Sequence, residues 1–354
     1  MPQPTRRDLL ALLAGAPWVT GAGAVQPDAL WPGAEWTQRE PAASGWDAEG
    51  LRRADAIAAE LGSAAALVVH RGAIVHRFGD VAQPLPAYSV RKSVLGALLG
   101  IAHGRGQLDL QATLAQLGID DVQGLIEAER QATVQQLLQS RSGVYHGAAY
   151  ETPEMAAARP LRGSHAPGTH WYYNNWDFNA LGSIYRQVAG RDVFDGVERE
   201  LAAPLQWQDF ERERHTRWVQ ERVSRHAAYT MKLSARDLAR LGLLMARGGR
   251  WRGQALLPEA WVDESVRPWS RLPGGWQAYG YLWWVPQRAW PFWARRPGEL
   301  FFASGNFGQL MWVDRARDLV VVHRTRGFAL LRRSVDAERV SPWLAALLSA
   351  APNA

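Results

Sequence analysis

The chain of 354 residues contains no cysteine. Disulfides, cysteine zinc sites, thioether haem attachment, lipoprotein anchoring and thiol nucleophiles are therefore excluded together. Lysine is almost absent as well. Of the 40 basic side chains only Lys92 and Lys232 are lysine, and the rest are arginine, which holds its proton at any biological pH. A proton-shuttling amine thus has two candidates. No apolar run reaches the roughly 18 residues that span a bilayer, which argues against an integral membrane protein. The formal charge of +6 comes from arginines scattered among acids, with no basic tract, so nucleic-acid binding draws no support and the charge bears on solubility. The remainder, 47% hydrophobic and 21% charged, is a globular composition with a sizeable core available.

Residues 1–24 read as an address. Thr5-Arg6-Arg7-Asp8-Leu9-Leu10 precedes a short apolar stretch and then Ala22-Gly23-Ala24, the pattern of a twin-arginine signal peptide with a small-x-small cleavage site. Its removal takes away two arginines and one aspartate, lowering the formal charge by one to +5. The expected location is the periplasm or the exterior, which a cysteine-free chain can reach already folded.

A Pro/Gly-rich connector over residues 25–45 leads into one domain, residues 46–350. Trp46–Leu61 has helical spacing, and Ala64–His70 and Ala73–Phe78 flank the turn Arg71-Gly72 as a hairpin. Ser93–Gly104 reads as a buried helix, and helical patterns recur at 107–117, 121–139, 177–189 and 192–203. Ser234-x-x-Asp237 predicts a capped helix to Arg247. Strands return at Tyr279–Val285, Gly308–Asp314 and Leu319–Arg324, and a last helix covers Val335–Ser349. The order implies an α+β fold: one antiparallel sheet assembled from both ends of the chain, with helices on its faces and an all-helical insertion at about 105–215.

Three segments can carry chemistry. In Tyr88-Ser89-Val90-Arg91-Lys92-Ser93, a serine and a lysine at i and i+3 share a helix face, so the amine can reach the hydroxyl, while unpaired N–H groups of the first turn can hold a developing oxyanion. In Trp171-Tyr172-Tyr173-Asn174-Asn175, a Tyr173 phenolate facing a lysine cation can act as a base and the Asn175 amide can orient Lys92 or a carbonyl. The same aromatics also suit packing at the start of a helix. In Ala303-Ser304-Gly305-Asn306, glycine permits close backbone approach of a ligand, although a bulged strand start reads the same way.

Taken together, Ser89-Val90-Arg91-Lys92, Tyr173-Asn174-Asn175 and Ala303-Ser304-Gly305 resemble the active-site motifs of the serine β-lactamase and penicillin-binding-protein superfamily, above all the class C-related esterases and amidases such as the 6-aminohexanoate-dimer hydrolases. The resemblance covers about residues 45–345 and implies the β-lactamase/transpeptidase-like fold. It further implies Ser89 as nucleophile, Lys92 with Tyr173 as general base, Asn175 as orienting amide and the Ser89 and Asn306 N–H groups as oxyanion hole. Tyr145, Ser304 and Gly305 become candidate substrate contacts, with a turn packed on the helical region the other reading for Tyr145. The chemistry needs no metal or cofactor. In β-lactamases and D-Ala-D-Ala peptidases the third motif usually begins with a cation for the substrate carboxylate, and here Ala303 stands in that place. The expected substrate is accordingly a small ester or linear amide. The alternatives are a β-lactamase or D-alanyl-D-alanine carboxypeptidase, and a non-catalytic binder of cell-wall fragments.

Two further groups invite attention. His146, His165 and His170 lack the i, i+4 spacing of a zinc helix, so no metal site is expected. Eight tryptophans between Trp251 and Trp293 offer either an aromatic wall for substrate or core packing, and packing suits most of them.

Overall fold

The computed structural model describes residues 30–287, 298–327 and 337–352. The proposed signal peptide, Trp290 and Trp293 lie outside the described residues. Hydrophobic alternation sorts the strands into a two-faced sheet. Along β1 (Ala65–His70), Leu67 and Val69 enter one core while Ala66 and Val68 enter another, and Val320/Val322 against Leu319/Val321 repeat the division in the strand beside it. Every residue of β1 is buried, so helices must cover both faces.

Further strands are β2 (Ala73–Gly79), β3 (Ala228–Leu233), β4 (Ser270–Arg271), β5 (Gln277–Tyr279), β6 (Trp284–Pro286), β7 (Leu300–Gly305), β8 (Gln309–Asp314) and β9 (Leu319–Arg324), and among the described residues four other short strands lie outside the main sheet. All of β1 to β9 except β3 form one antiparallel sheet in the order β2-β1-β9-β8-β7-β6-β5-β4. The two chain ends meet where β1 pairs with β9, Ala65 opposite Arg324 and His70 opposite Leu319. One face is covered by α1 (Ala48–Glu60) and α6 (Ala337–Ser349), where Leu51, Trp343, Leu344 and Leu347 pack on Val68 and Val321. Each such side chain contributes about 1.5–3 kcal/mol when fully buried. The other face carries α2 (Val90–Gly104) and α5 (Ala235–Ala246), the latter capped as its sequence predicts by Ser234 Oγ on the Asp237 N–H at 3.0 Å.

Beyond α2 the chain forms the helical region, with α3 (Val134–Leu138) and α4 (Asn175–Ala189) as supports of the site. Here the structure corrects two expectations. Residues 107–117 are turns and a bridge, and 121–139 holds only two short helices. The reason is local competition: Asp109 and Thr113 turn their side chains onto the backbone at Gln111 and Gln116, and Leu114 and Ala115 pair with the carbonyls of Ala132 and Arg130 instead of a helical turn. Among the described residues no helix is long and apolar enough to cross a membrane.

Candidate active site

α2 is buried over Val90–Ala102 almost without interruption, so its first turn is fixed by packing rather than by solvent. Ser89 is its N-cap, with Lys92 one turn on, and Lys92 Nζ lies 3.1 Å from Ser89 Oγ. The amine also lies 2.7 Å from the Tyr173 hydroxyl. Tyr173 is held there by Asn174, which caps α4 by accepting from the Asp177 N–H at 2.8 Å while its amide donates to the Tyr172 carbonyl at 2.7 Å. Ser89, Lys92 and Tyr173, the last two 81 residues apart in the chain, thus share one hydrogen-bonded cluster.

Burial decides where the proton sits. Lys92 is driven well below its usual value, first by desolvation and then by the neighbouring Arg91 charge. Tyr173 is pushed up to about 12 by burial, against the smaller opposing effects of Ser89 and Arg91. This burial disfavours the phenolate expected from the sequence, and the lowered Lys92 value favours an amine that can accept a proton. The cause is the ring shell around Tyr173, formed by Phe178, Tyr279 and Trp284 with centroids at 5.0, 5.7 and 5.4 Å and by Trp171 at 6.4 Å. A phenolate there would face the rings of a largely apolar shell, which solvate its charge poorly.

β7 brings the third segment alongside. Ala303-Ser304-Gly305 is regular strand, pairing with Met311, Leu310 and Gln309, and not a bulge. A Cβ on Gly305 would meet the Ala87 carbonyl oxygen at 2.7 Å and the Ser89 nitrogen at 3.0 Å, so only glycine lets the strand end lie against the turn that carries the nucleophile. Ser89 and Asn306 each open a helical turn, where an N–H has no intrahelical acceptor. Each has a left-handed non-glycine neighbour, Tyr88 at φ 46° and Phe307 at φ 64°, and these two rings pack edge to face at 5.0 Å. Backbone strain of this kind, about 1–3 kcal/mol per residue, persists where the surroundings enforce it.

Other expected contacts fall differently. The Asn175 amide nitrogen donates to the Tyr150 carbonyl, not to Lys92, and its oxygen is buried without a partner. Tyr145 is buried against Tyr172 and His165, in a packed aromatic group. His165 and His170 stack on each other at 4.0 Å, whereas His146 lies apart between two carboxylates. Trp251, Trp261 and Trp283 are core residues, while Trp284 joins the Tyr173 shell. Sequence reasoning passed over Trp171, Phe178, Tyr279 and Tyr150. The only available signal was the placement of Trp171 two residues before Tyr173.

The Beta-lactamase family model matches residues 7–340. The chain belongs to the Beta-lactamase family. Its fold is the β-lactamase/transpeptidase-like one, and solved structures share it at low identity. A Bacillus anthracis protein provisionally named a 6-aminohexanoate-dimer hydrolase is 19% identical with a TM-score of 0.63, over 83% of this chain and 80% of that one. A penicillin-binding-protein homologue from Caulobacter crescentus is 16% identical with a TM-score of 0.62, over 89% and 98% of the two chains. A class C β-lactamase is 14% identical with a TM-score of 0.61, over 86% and 97%. No match is found among curated proteins. Membership of this family of serine hydrolases agrees with the cluster of serine, amine and phenol.

Proposed function

We propose that the protein hydrolyses an ester or linear amide through an acyl-enzyme on Ser89. The observation that carries this reading is the Lys92 amine, held 3.1 Å from Ser89 Oγ and 2.7 Å from the Tyr173 hydroxyl in a site that disfavours its charge. Ser89 Oγ attacks the carbonyl carbon and gives its proton to Lys92. The Ser89 and Asn306 N–H groups hold the oxyanion. When the tetrahedral intermediate collapses, the phenol of Tyr173 protonates the leaving alcohol or amine and is reprotonated from Lys92. A water then attacks the acyl carbon, its proton passes to Lys92, and release of the acid returns the proton to Ser89.

Ala303, buried and uncharged, supports an ester or linear amide over a substrate that must be held by a carboxylate at that strand. The named 6-aminohexanoate-dimer hydrolase among the structural relatives agrees with a linear amide. The test sets the purified protein and Ser89→Ala against short-chain p-nitrophenyl esters, a 6-aminohexanoate oligomer and nitrocefin, with intact-mass detection of acyl adducts. Ester or amide turnover that disappears with Ser89, together with slow nitrocefin hydrolysis, is the expected result. Turnover retained in Ser89→Ala overturns the mechanism, and nitrocefin as the preferred substrate overturns the substrate class.

A further inference from the structure

Arg91, between the nucleophile and the amine in sequence, is 1% exposed. Among the described residues its guanidinium makes one long hydrogen bond, from Nη1 to the Tyr88 carbonyl at 3.4 Å, and its Nε and Nη2 are enclosed without a partner. Two other buried arginines also enclose unpartnered nitrogens, Nε of Arg240 and Nε and Nη1 of Arg324, but each has shorter bonds to backbone carbonyls. Arg240 donates to the carbonyls of Leu205, Gly33 and Ala34, and Arg324 to those of Leu85 and Pro86. Arg162 and Arg247, less buried, have Glu129 and Asp318. Arg91 instead lies between two rings, its guanidinium carbon 5.0 Å from the Tyr229 centroid and 5.4 Å from that of Tyr150. Ring faces hold a cation without neutralising it, so the guanidinium field reaches its surroundings uncancelled.

We propose that Arg91 is a positioning residue of the reaction: a fixed, uncompensated cation whose field disfavours a second positive charge on Lys92 and so keeps that side chain in its proton-accepting form. Leaving two donors of a guanidinium enclosed and unpaired is destabilising, and the residue that gains is the adjacent amine. The inference rests on the reading of Lys92 as the base.

The groups facing Lys92 do not cancel this effect. Tyr173, from the start of α4, Tyr229 from β3 and Tyr279 from β5 are phenols that burial pushes upward, hence neutral around pH 7. Phe178 contributes a ring 4.4 Å from Nζ, and β7 presents Ala303 and Ser304, without charge. The carboxyl in this neighbourhood, Asp177 in the first turn of α4, is pushed up to about 7 by burial and is bonded to Ser142. Lys92 owes its lowered value to burial first and to Arg91 second.

With two lysines in the chain, labelling lysine with carbon-13 at Cε gives one NMR signal for Lys92 and one for the exposed Lys232 as internal reference. In Arg91→Gln, the Lys92 midpoint is expected to rise by about one pH unit or more, a tenfold change in its protonation equilibrium. The acid limb of kcat/KM for a p-nitrophenyl ester should rise with it, losing about tenfold at pH 6 and little at pH 9. Arg91→Lys, assayed by kinetics alone, should restore much of the limb. Arg91→Met serves the same comparison if the glutamine variant does not fold. An unmoved Lys92 midpoint in a folded Arg91→Gln or Arg91→Met variant overturns the inference, including any case in which Arg91 seats an anionic ligand instead. Because the NMR titration needs no turnover, this failure is separate from failure of the base assignment, which activity surviving in Lys92→Met would show.

Discussion

Two buried polar centres in this molecule stand within one chain segment of each other and are built in opposite ways. At the proposed reaction centre, Arg91 and Lys92 are basic side chains enclosed by rings, with no carboxylate paired to either among the described residues. In the helical region, His146 lies 3.5 Å from Asp121 and 3.3 Å from Glu129, and Arg162 completes the set at 2.9 Å from Glu129. Burial disfavours the charged form in both. At His146 the facing carboxylates outweigh it and raise the imidazole above its ordinary value, while Glu129 is held down to about 2 despite burial by His146, Arg162 and the Ile126 N–H. At Lys92 nothing outweighs burial, and the amine is pushed toward neutrality. Neighbours, more than depth, determine whether a buried base is reactive or inert. The two centres also cooperate: the indole of Trp176, next to Asn175, donates to Asp121 at 2.6 Å, so the compensated cluster braces the start of α4 that carries Tyr173.

The contrast is broken most forcefully at the amine. Lys92→Met should lower kcat/KM by at least about a thousandfold, since a general base and its nucleophile act as a unit. The same variant should keep or raise its unfolding midpoint, because it replaces a buried amine with an apolar chain of similar length. A clear loss of stability, seen by thermal melts beside the wild type, would mean that Lys92 is structural. Glu129→Gln tests the other centre and should behave in reverse. It leaves His146 facing a single carboxylate and takes the paired charge from Arg162, which keeps only the amide oxygen and the Gly124 carbonyl, and this should cost about 3 kcal/mol in urea unfolding. Ester turnover per folded molecule should then change by only a few fold. Its pH signature is a further check. His146 has a raised value in the folded state, so its contribution is present below pH 6.5 and is lost as pH rises through the folded value, and this slope should weaken in Glu129→Gln.

The sequence made the difference between the centres only half visible. Short β-branched and apolar runs bounded by turn residues mark β1, β2, β8 and β9, and the apolar head of α2 marks Ser89 and Lys92 because their spacing is one helical turn. Both signals are local. The Tyr173 shell is only partly so, since Trp171 and Phe178 flank Tyr173 in the chain but Tyr279 and Trp284 come from a distant stretch that meets it only in the fold. For the same reason the pressure against a phenolate was not legible: the ordinary value of a tyrosine next to a lysine can be read from residue types, but the ring shell that desolvates both cannot. Arg91 was in plain view inside the first motif, yet nothing in Ser-Val-Arg-Lys says that its guanidinium will be held by rings instead of by an acid. His146 stood out only beside His165 and His170, because Asp121 and Glu129 are separated from it by irregular chain with no helical period.

Asp177 provides the smallest and sharpest probe, because it is a buried carboxyl without a cation, the mirror image of Arg91. Its Oδ1 is 2.5 Å from Ser142 Oγ, its Oδ2 is enclosed without a partner, and burial pushes it up to about 7 despite the bonds from Ser142 and Asn174. The folded state therefore holds this proton over a range, from about pH 4 to about pH 7, in which the unfolded chain has released it. Stability attributable to Asp177 falls as pH rises through that window and stays low above it. Asp177→Asn keeps an acceptor for Ser142 and cannot ionise, so its stability relative to wild type should climb across the same window to a gain of about 1–2 kcal/mol at pH 8. Urea unfolding of both proteins at pH 5 and pH 8 measures it. A difference that does not depend on pH would mean that Asp177 is ionised throughout, and that a cation near enough to compensate it, with Arg91 the first candidate, lends its field to Asp177 instead of to Lys92.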